Sequence, residues 1–391
     1  MIKPHRYFRQ QWNYGIIFLL LVIQFFISCN TNDYNYRVFV GTYTDNGSEG
    51  IYSFRFNSAT GEVSTIELTA ATDNPSFIVI DRKGQFLYAV NELDNFDNDS
   101  TGAVSVFKID HQSGKLNLIQ QISSLGKHPA HLSLDKTGKF LLVANYTSGN
   151  IAVFPIEKDG RLGEHTEFIQ NYGSSVNRER QTSPHAHFIQ VTDDNRFAMV
   201  ADLGTDKIFV FQFDSTTGLL KPNNPAFINL DPGSGPRHFA FSPSGKFLYV
   251  LNELTSTVTG FDFDPTTASS KSKQTISTLP ENYEGTNTAA EILVDSKGKF
   301  LYASNRGDDS IVQFSIDPAS GTLTPIKWVS SGGKAPRNFE IDPTGKWLFS
   351  ANQRSDNILL FKIDQDNGRL INTNQTINIK SPVCVKFISQ N

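Results

Sequence analysis

Two cysteines in 391 residues leave nothing from which to build a disulfide framework. The net charge is −4, and no cluster of Lys and Arg occurs beyond the N-terminus, which argues against nucleic acid as a partner. No segment holds a long 3.6-residue apolar period, so the chain offers no sustained amphipathic helix. A Gly-rich phosphate loop, a Gly-x-Ser-x-Gly elbow and a Cys-x-x-Cys pair are all missing, and with them the best-marked routes to nucleotide, serine-nucleophile and dithiol chemistry. The longest apolar run, Ile16 to Ile27, has 12 residues broken only by Gln24 and is short for a membrane span.

What the chain has instead is repetition, together with 31 Phe, a composition suited to packing between sheets. Six copies of one pattern recur: an apolar strand, a turn centred on Gly (once Asn), an aromatic residue, a second apolar strand, then Asn or Asp. The clearest are PSFIVIDRKGQFLYAVN, ending at Asn91, and PRHFAFSPSGKFLYVLN, ending at Asn252. The others end at Asn145, Asp202, Asn305 and Asn352, at intervals of 47 to 57 residues. A β-rich unit of this length matches a propeller blade, which buries its two faces only against neighbouring blades.

The ends of the chain supply one more blade. Ser381 to Ile388 reads as the first strand of a seventh copy. Its remaining strands lie at the other terminus: Arg37 to Gly41, Gly50 to Phe56 and Glu62 to Leu68. Joining the two would close the ring and remove its open edge. The expected fold is all-β, a seven-bladed β-propeller over residues 36–391 closed by the C-terminal strand.

In such a ring, the start of the first strand and the end of the second lie near the axis at the same face. Aligned on the turn Gly, the first-strand entry reads Ser76, Ala130, His187, Arg237, Ala290, Arg337 and Val383. The next column reads Phe77, His131, Phe188, His238, Glu291, Asn338 and Cys384. After the second strand come Glu92, Tyr146, Leu203, Glu253, Arg306 and Gln353. The repeated Asn or Asp reads as a turn cap and the turn Gly as a positive-φ position. The residues that differ between blades have no such explanation. His187, Arg237, Glu253, Arg306 and Arg337 converge on one funnel, where charges belong only if they pair with one another or meet a ligand. A salt-bridge plug and a binding site both fit that pattern. His185 and His187 alone, two residues apart, make a poor metal site, so no metal is expected.

These residues sit within segments that resemble the lactonase family of seven-bladed propellers, which includes bacterial 6-phosphogluconolactonases and fungal carboxymuconate cyclases. The matching segments are Val40-Gly41-Thr42-Tyr43-Thr44 with Gly50-Ile51-Tyr52, Pro184-His185-Ala186-His187, Ala201-Asp202-Leu203-Gly204-Thr205-Asp206, Gly235-Pro236-Arg237-His238 and Asn252-Glu253-Leu254. The resemblance implies a site of one His, two Arg and one Glu, which here read His187, Arg237, Glu253 and Arg306. It also implies a small lactone as substrate, opened by hydrolysis without a cofactor, or formed from a muconate in the cyclase relatives. Hydrolysis needs a base for water and positive charge for the oxyanion. His187 or Glu253 could be the base. His187 has the more suitable intrinsic pKa, which leaves Glu253 to orient it or the water. Arg237 and Arg306 would hold the carbonyl oxygen and any substrate anion. His185, His238, Glu291 and Arg337 would line the pocket. The rival class is a non-catalytic binding propeller at the cell surface.

Residues 1–29 read as an export signal: Lys3, Arg6 and Arg9, the apolar run, then Ser28 and Cys29. An ordinary signal peptide or a signal anchor fits, but Cys29 stands where the apolar run gives way to the polar stretch Asn30 to Asn35, which favours a lipoprotein signal with Cys29 acylated. Residues 30–35 would be a short linker. The expectation is an exported, periplasmic or cell-surface monomer, held to a membrane only by a lipid at Cys29. Its export separates it from cytosolic relatives that act on phosphorylated sugars, and points to an unphosphorylated aldonolactone or another small cyclic ester.

Overall fold

Each copy of the repeat is a four-stranded antiparallel sheet, and the ring has seven of them. A computed structural model describes residues 1–2 and 34–390 of the chain. Nearly all of the segment read as an export signal, the expected acylation site at Cys29 and most of the expected linker therefore lie outside the described residues.

The six internal sheets run in chain order, from β4 (Ile78–Ile80) and β5 (Phe86–Asn91) to β24 (Pro336–Ile341), β25 (Trp347–Asn352), β26 (Asn357–Ile363) and β27 (Leu370–Asn378). The seventh has the order β28 (Pro382–Ser389), β1 (Tyr36–Thr42), β2 (Gly50–Phe56), β3 (Glu67–Ala71). Strand β28 pairs with β1 from Tyr36 opposite Ser389 to Gly41 opposite Cys384. The C-terminus thus supplies the axial strand of the blade that the N-terminus begins. At this seam Val38, Val40, Phe54 and Phe56 pack against Trp347, Phe349 and Leu360 of the preceding blade.

The second strand of a blade is covered on both faces, which is why its sequence is a continuous apolar run instead of an alternating one. All six residues of β25 are buried, as are all six of β17 (Phe247–Asn252). Aromatic residues of this strand also tie blades together. The hydroxyls of Tyr88, Tyr249 and Tyr302 donate to the carbonyls of Gly160, Gly321 and Gly368 in the next blade at 2.8 to 3.0 Å. Trp347 closes the ring in the same way, its indole N–H reaching the Ser58 carbonyl at 2.9 Å.

The turn joining the first two strands is fixed by its left-handed residue. Gly84, Gly138, Gly245, Gly298 and Gly345 have φ between 68° and 72°, and Asn195 takes the same place with φ 61°. The repeated Asn does more than cap a turn. Asn145, Asn305 and Asn352 are fully buried and donate to the Ser124, Thr278 and Ser331 carbonyls, where the chain crosses from the previous blade.

One irregularity repeats at the axis. The register of the first strand slips at its entry, leaving Ala130, His187, Arg237 and Arg337 unpaired between residues that do pair. Val383 is skipped likewise in β28, and Ala290 with Glu291 in β20 (Thr288–Val294). Such a bulge turns a side chain out of the alternation of its strand. Here it directs the residues of the entry column at the axis.

Candidate functional site

The bulge residues and the ends of the second strands enclose a cavity of about 240 Å³, lined by Glu92, Ala130, Tyr146, Arg180, His187, Glu253, Thr288, Arg306 and Arg337. That volume is below the roughly 300 Å³ at which drug-sized sites begin, so it suits a small molecule. Below it a narrow throat is lined by Ser76, Phe77, Glu92, Ala130, His187, Arg237, His238, Glu291, Arg337 and Val383.

Glu253 is the electrostatic centre. Its Oε1 lies 2.8 Å from Arg180 Nη2, and its Oε2 lies 2.9 Å from Arg306 Nη2 and 3.1 Å from Arg237 Nε. Burial alone would raise its pKa, but Arg306, Arg237 and Arg180 outweigh it and hold the carboxyl at about 2. A carboxylate held so low is a poor proton acceptor. Nor does any hydrogen bond join it to His187 among the described residues, so the expected pairing of the two is not formed. Glu253 instead fixes three guanidinium groups.

Those groups are not equally committed. Arg237 is buried; its Nη1 donates to the Ala290 carbonyl and sits 3.2 Å from His238 Nε2, while Nε faces Glu253 at an angle that makes no hydrogen bond. Burial, with Arg306 and Arg337 nearby, lowers its pKa to about 9, so it stays charged at neutral pH. Arg306 Nη2 also donates to the Ala289 carbonyl at 3.2 Å, while its Nε is buried without a partner. Arg337 spends one donor on the Tyr43 hydroxyl at 2.8 Å, and the Tyr43 hydroxyl in turn donates to Glu92 Oε2 at 2.6 Å. Three guanidinium groups and two carboxylates line the cavity. The throat adds one of each in Arg237 and Glu291, so positive charge remains in excess by one.

His187 lines both cavity and throat, and its Nδ1 is buried without a hydrogen-bond partner. Burial first, then Arg237, His238, Arg337 and Arg306, lower its pKa well below the ordinary value, so the ring is neutral at pH 7. His185, placed by sequence in the pocket, stands behind it. Its ring stacks on Tyr146 at 4.7 Å, with Nδ1 3.0 Å from the Tyr146 carbonyl, and it is not among the cavity-lining residues.

His238 and Glu291, also read as pocket residues, form part of a belt that closes the channel. Phe77, His131, Phe188 and His238 follow one another at centroid distances of 4.1 to 4.7 Å. His238 Nδ1 then meets Glu291 Oε1 at 2.8 Å, and Glu291 Oε2 accepts from Asn338 Nδ2 at 2.7 Å. With Nε2 facing the guanidinium of Arg237, this network sets the proton of His238 on Nδ1. Both a sealed charged network and an open cavity are therefore present, one above the other.

Sequence reading missed Arg180, which has no counterpart in the repeat. It rises from the loop 171–185, after β11 (Glu167–Gln170), and also donates to the Tyr146 hydroxyl at 3.1 Å. The loop is anchored next door by Gln181, whose amide reaches the Leu203 carbonyl and Asp206 Oδ1, each at 2.8 Å. Its length was the available signal. Glu92 and Tyr146, which also line the cavity, stand in the axial column after the second strand. Among the described residues, no cluster of three or more His, Cys, Asp or Glu side chains is arranged to hold a metal ion.

Comparison with known proteins places this geometry among relatives. A family model described as "Lactonase, 7-bladed beta-propeller" matches residues 37–387. A 6-phosphogluconolactonase of Bacillus subtilis is 35% identical over 355 residues, 91% of this chain and 99% of that protein. One from Formosa agariphila is 36% identical over 310 residues, covering 78% of this chain and 86% of its own. The solved structure of a periplasmic gluconolactonase from Pseudomonas aeruginosa superposes with a TM-score of 0.86 at 34% identity, over 91% of this chain and 99% of that one.

Proposed function

This chain belongs to the seven-bladed β-propeller lactonase family, and on that premise we propose that it opens a small sugar lactone by hydrolysis. The observation that carries the reading is the excess of guanidinium groups around a cavity of small-molecule size. Arg306 and Arg337 face it with donors the protein leaves unspent, and Arg237 adds its charge from the throat. Preorganised donors of this kind stabilise the oxyanion that forms when water attacks a lactone carbonyl. They equally suit a carboxylate or phosphate on the substrate. His187, which lines the same cavity, assists the attack, and the reading calls on no cofactor or metal.

We place the activity outside the cytoplasm. The basic, apolar and cysteine-ended N-terminus reads as a lipoprotein export signal, and the relative from Pseudomonas aeruginosa is described as periplasmic. An unphosphorylated aldonolactone is then the substrate class to try first.

The test is a panel of sugar lactones, with acid release followed by a pH indicator. Steady release above the spontaneous rate, unchanged by a chelator, is expected. Arg237→Ala and His187→Ala should each lower turnover at least about a hundredfold in protein that still folds, the scale of losing one charge-stabilising or proton-handling group. Saturable binding without release would replace the enzyme with a binding propeller, and cyclisation of a muconate would reverse the direction of the reaction.

A further inference from the structure

Three carboxylates surround the cavity and throat, and two of them are committed. Glu253 is bound to three arginines. Glu291 is enclosed in the belt, with Oε1 accepting from His238 and from the Ile292 N–H at 3.0 Å, and Oε2 from Asn338. Glu92 differs. It follows β5 and lines both cavity and throat. Its Oε2 accepts from the hydroxyls of Tyr43 and Ser76, which lock the carboxylate in place. Among the described residues, no hydrogen bond or ion pair reaches its Oε1. It is the one cavity carboxylate that is positioned yet has an acceptor oxygen unspent.

His187 presents the complementary case. Its Nδ1 is sealed in the wall without a partner. An orphaned acceptor is better tolerated in a protein interior than an orphaned N–H. The neutral ring therefore keeps its proton on Nε2, the nitrogen left to face the cavity, and offers a donor there instead of a base.

Resting on the hydrolase reading above, we infer that Glu92 is the general base of the reaction and that His187 is a hydrogen-bond donor to the substrate carbonyl. Glu92 Oε1 takes a proton from water as the water oxygen bonds to the lactone carbonyl carbon. The carbonyl π pair moves onto its oxygen, which the His187 N–H and Arg306 receive. When the carbonyl re-forms, the ring C–O bond breaks and the ring oxygen takes the proton from Glu92, regenerating the carboxylate. The product is the open hydroxy acid, which loses its acid proton to solvent. Tyr43 and Ser76 hold Glu92 in line, and Arg337, bound to the same Tyr43 hydroxyl, fixes that group in turn.

The test uses the purified protein and a lactone that the wild type opens. Glu92→Gln, which keeps the shape and the Tyr43 and Ser76 contacts, should lower kcat at least about a hundredfold with little change in KM. Formate added to Glu92→Ala should restore part of the rate, because it supplies the missing carboxylate. His187→Gln, which keeps an N–H donor, should stay within about tenfold of wild type, whereas His187→Leu should lose about a hundredfold or more. If Glu92→Gln fails to fold, Glu92→Asp carries the test, since it retracts the same charge and should lose turnover with an unchanged melting temperature. Wild-type turnover in the folded Glu92 variant, or His187→Gln as inactive as His187→Leu, overturns the assignment. A wild-type protein that opens no lactone overturns the hydrolase reading first, which separates the two failures.

Discussion

Single side chains near the axis make stability depend on pH. Burial lowers the pKa of His187, His131 and His238, the last to about 4, against an ordinary value of 6.5. Below pH 6.5 the unfolded chain binds protons that these folded histidines refuse, so their contribution is complete above pH 6.5 and declines as pH falls toward 4. Glu253 adds a second window. Its folded pKa is about 2 against an ordinary 4.5, so the stabilisation it gives is present above pH 4.5 and is lost as pH drops toward 2. Urea midpoints should therefore be level near neutrality and fall from pH 6.5 downward. A midpoint that rises between about pH 7 and pH 5 would contradict the buried, neutral state of the belt histidines.

Among the elements, the turn at Asn195 shows why one copy of the repeat departs from Gly. Asn tolerates the left-handed conformation at a modest cost. In exchange its amide donates to Asp135 Oδ2 at 2.9 Å and accepts the Lys136 N–H at 2.9 Å, both in the turn of the preceding blade. Asn195→Gly would relax the backbone but break both contacts. At about 0.5–1.5 kcal/mol per hydrogen bond, the loss outweighs the gain. A melting temperature a few degrees below wild type is the expected result. An increase would mean that the turn acts locally and does not join blades. The axial bulges belong to the same level. Five blades turn one first-strand side chain to the centre by the same single-residue slip, and β20 does so with a two-residue slip, so much of the site changes by substitution in a shared frame.

For the molecule as a whole, the critical contact is the pairing of the chain ends. Strand β28 is the axial strand of its blade, and deletion of residues 382–391 removes it entirely. The loss exposes the edge of β1 and uncovers Phe349 and Val385's neighbours in the seam core. Because every blade relies on two packed neighbours, this truncation should abolish cooperative unfolding or cause aggregation, as read by a thermal melt and size-exclusion profile. Removal of residues 1–29 should leave a folded domain with the same melt. A C-terminal truncation that stays monomeric and melts normally would refute the importance of the seam.

The blade count, the turns, the closing strand and the list of axial columns were all legible in the chain, because each depends on local patterns that recur six times or on a fragment completing them. His187, Glu253 and Arg306, which line the cavity, and Arg237, which lines the throat, stand out in the chain for the same reason: they are places where the repeats disagree near the axis. Their partners could not. Which carboxylate three arginines would surround, and which would remain available, depends on side chains from different blades meeting across the ring. Arg180 reaches Glu253 from a loop 73 positions away that no other blade carries. One column apart, Arg337 faces the cavity while Asn338 and Glu291 belong to the belt, a division set by the bulge and invisible to a strand pattern of period two. Local sequence thus specified the frame and its variable positions. The assembled ring set their charge states and partners, because electrostatic pairing follows distance through space and not separation along the chain.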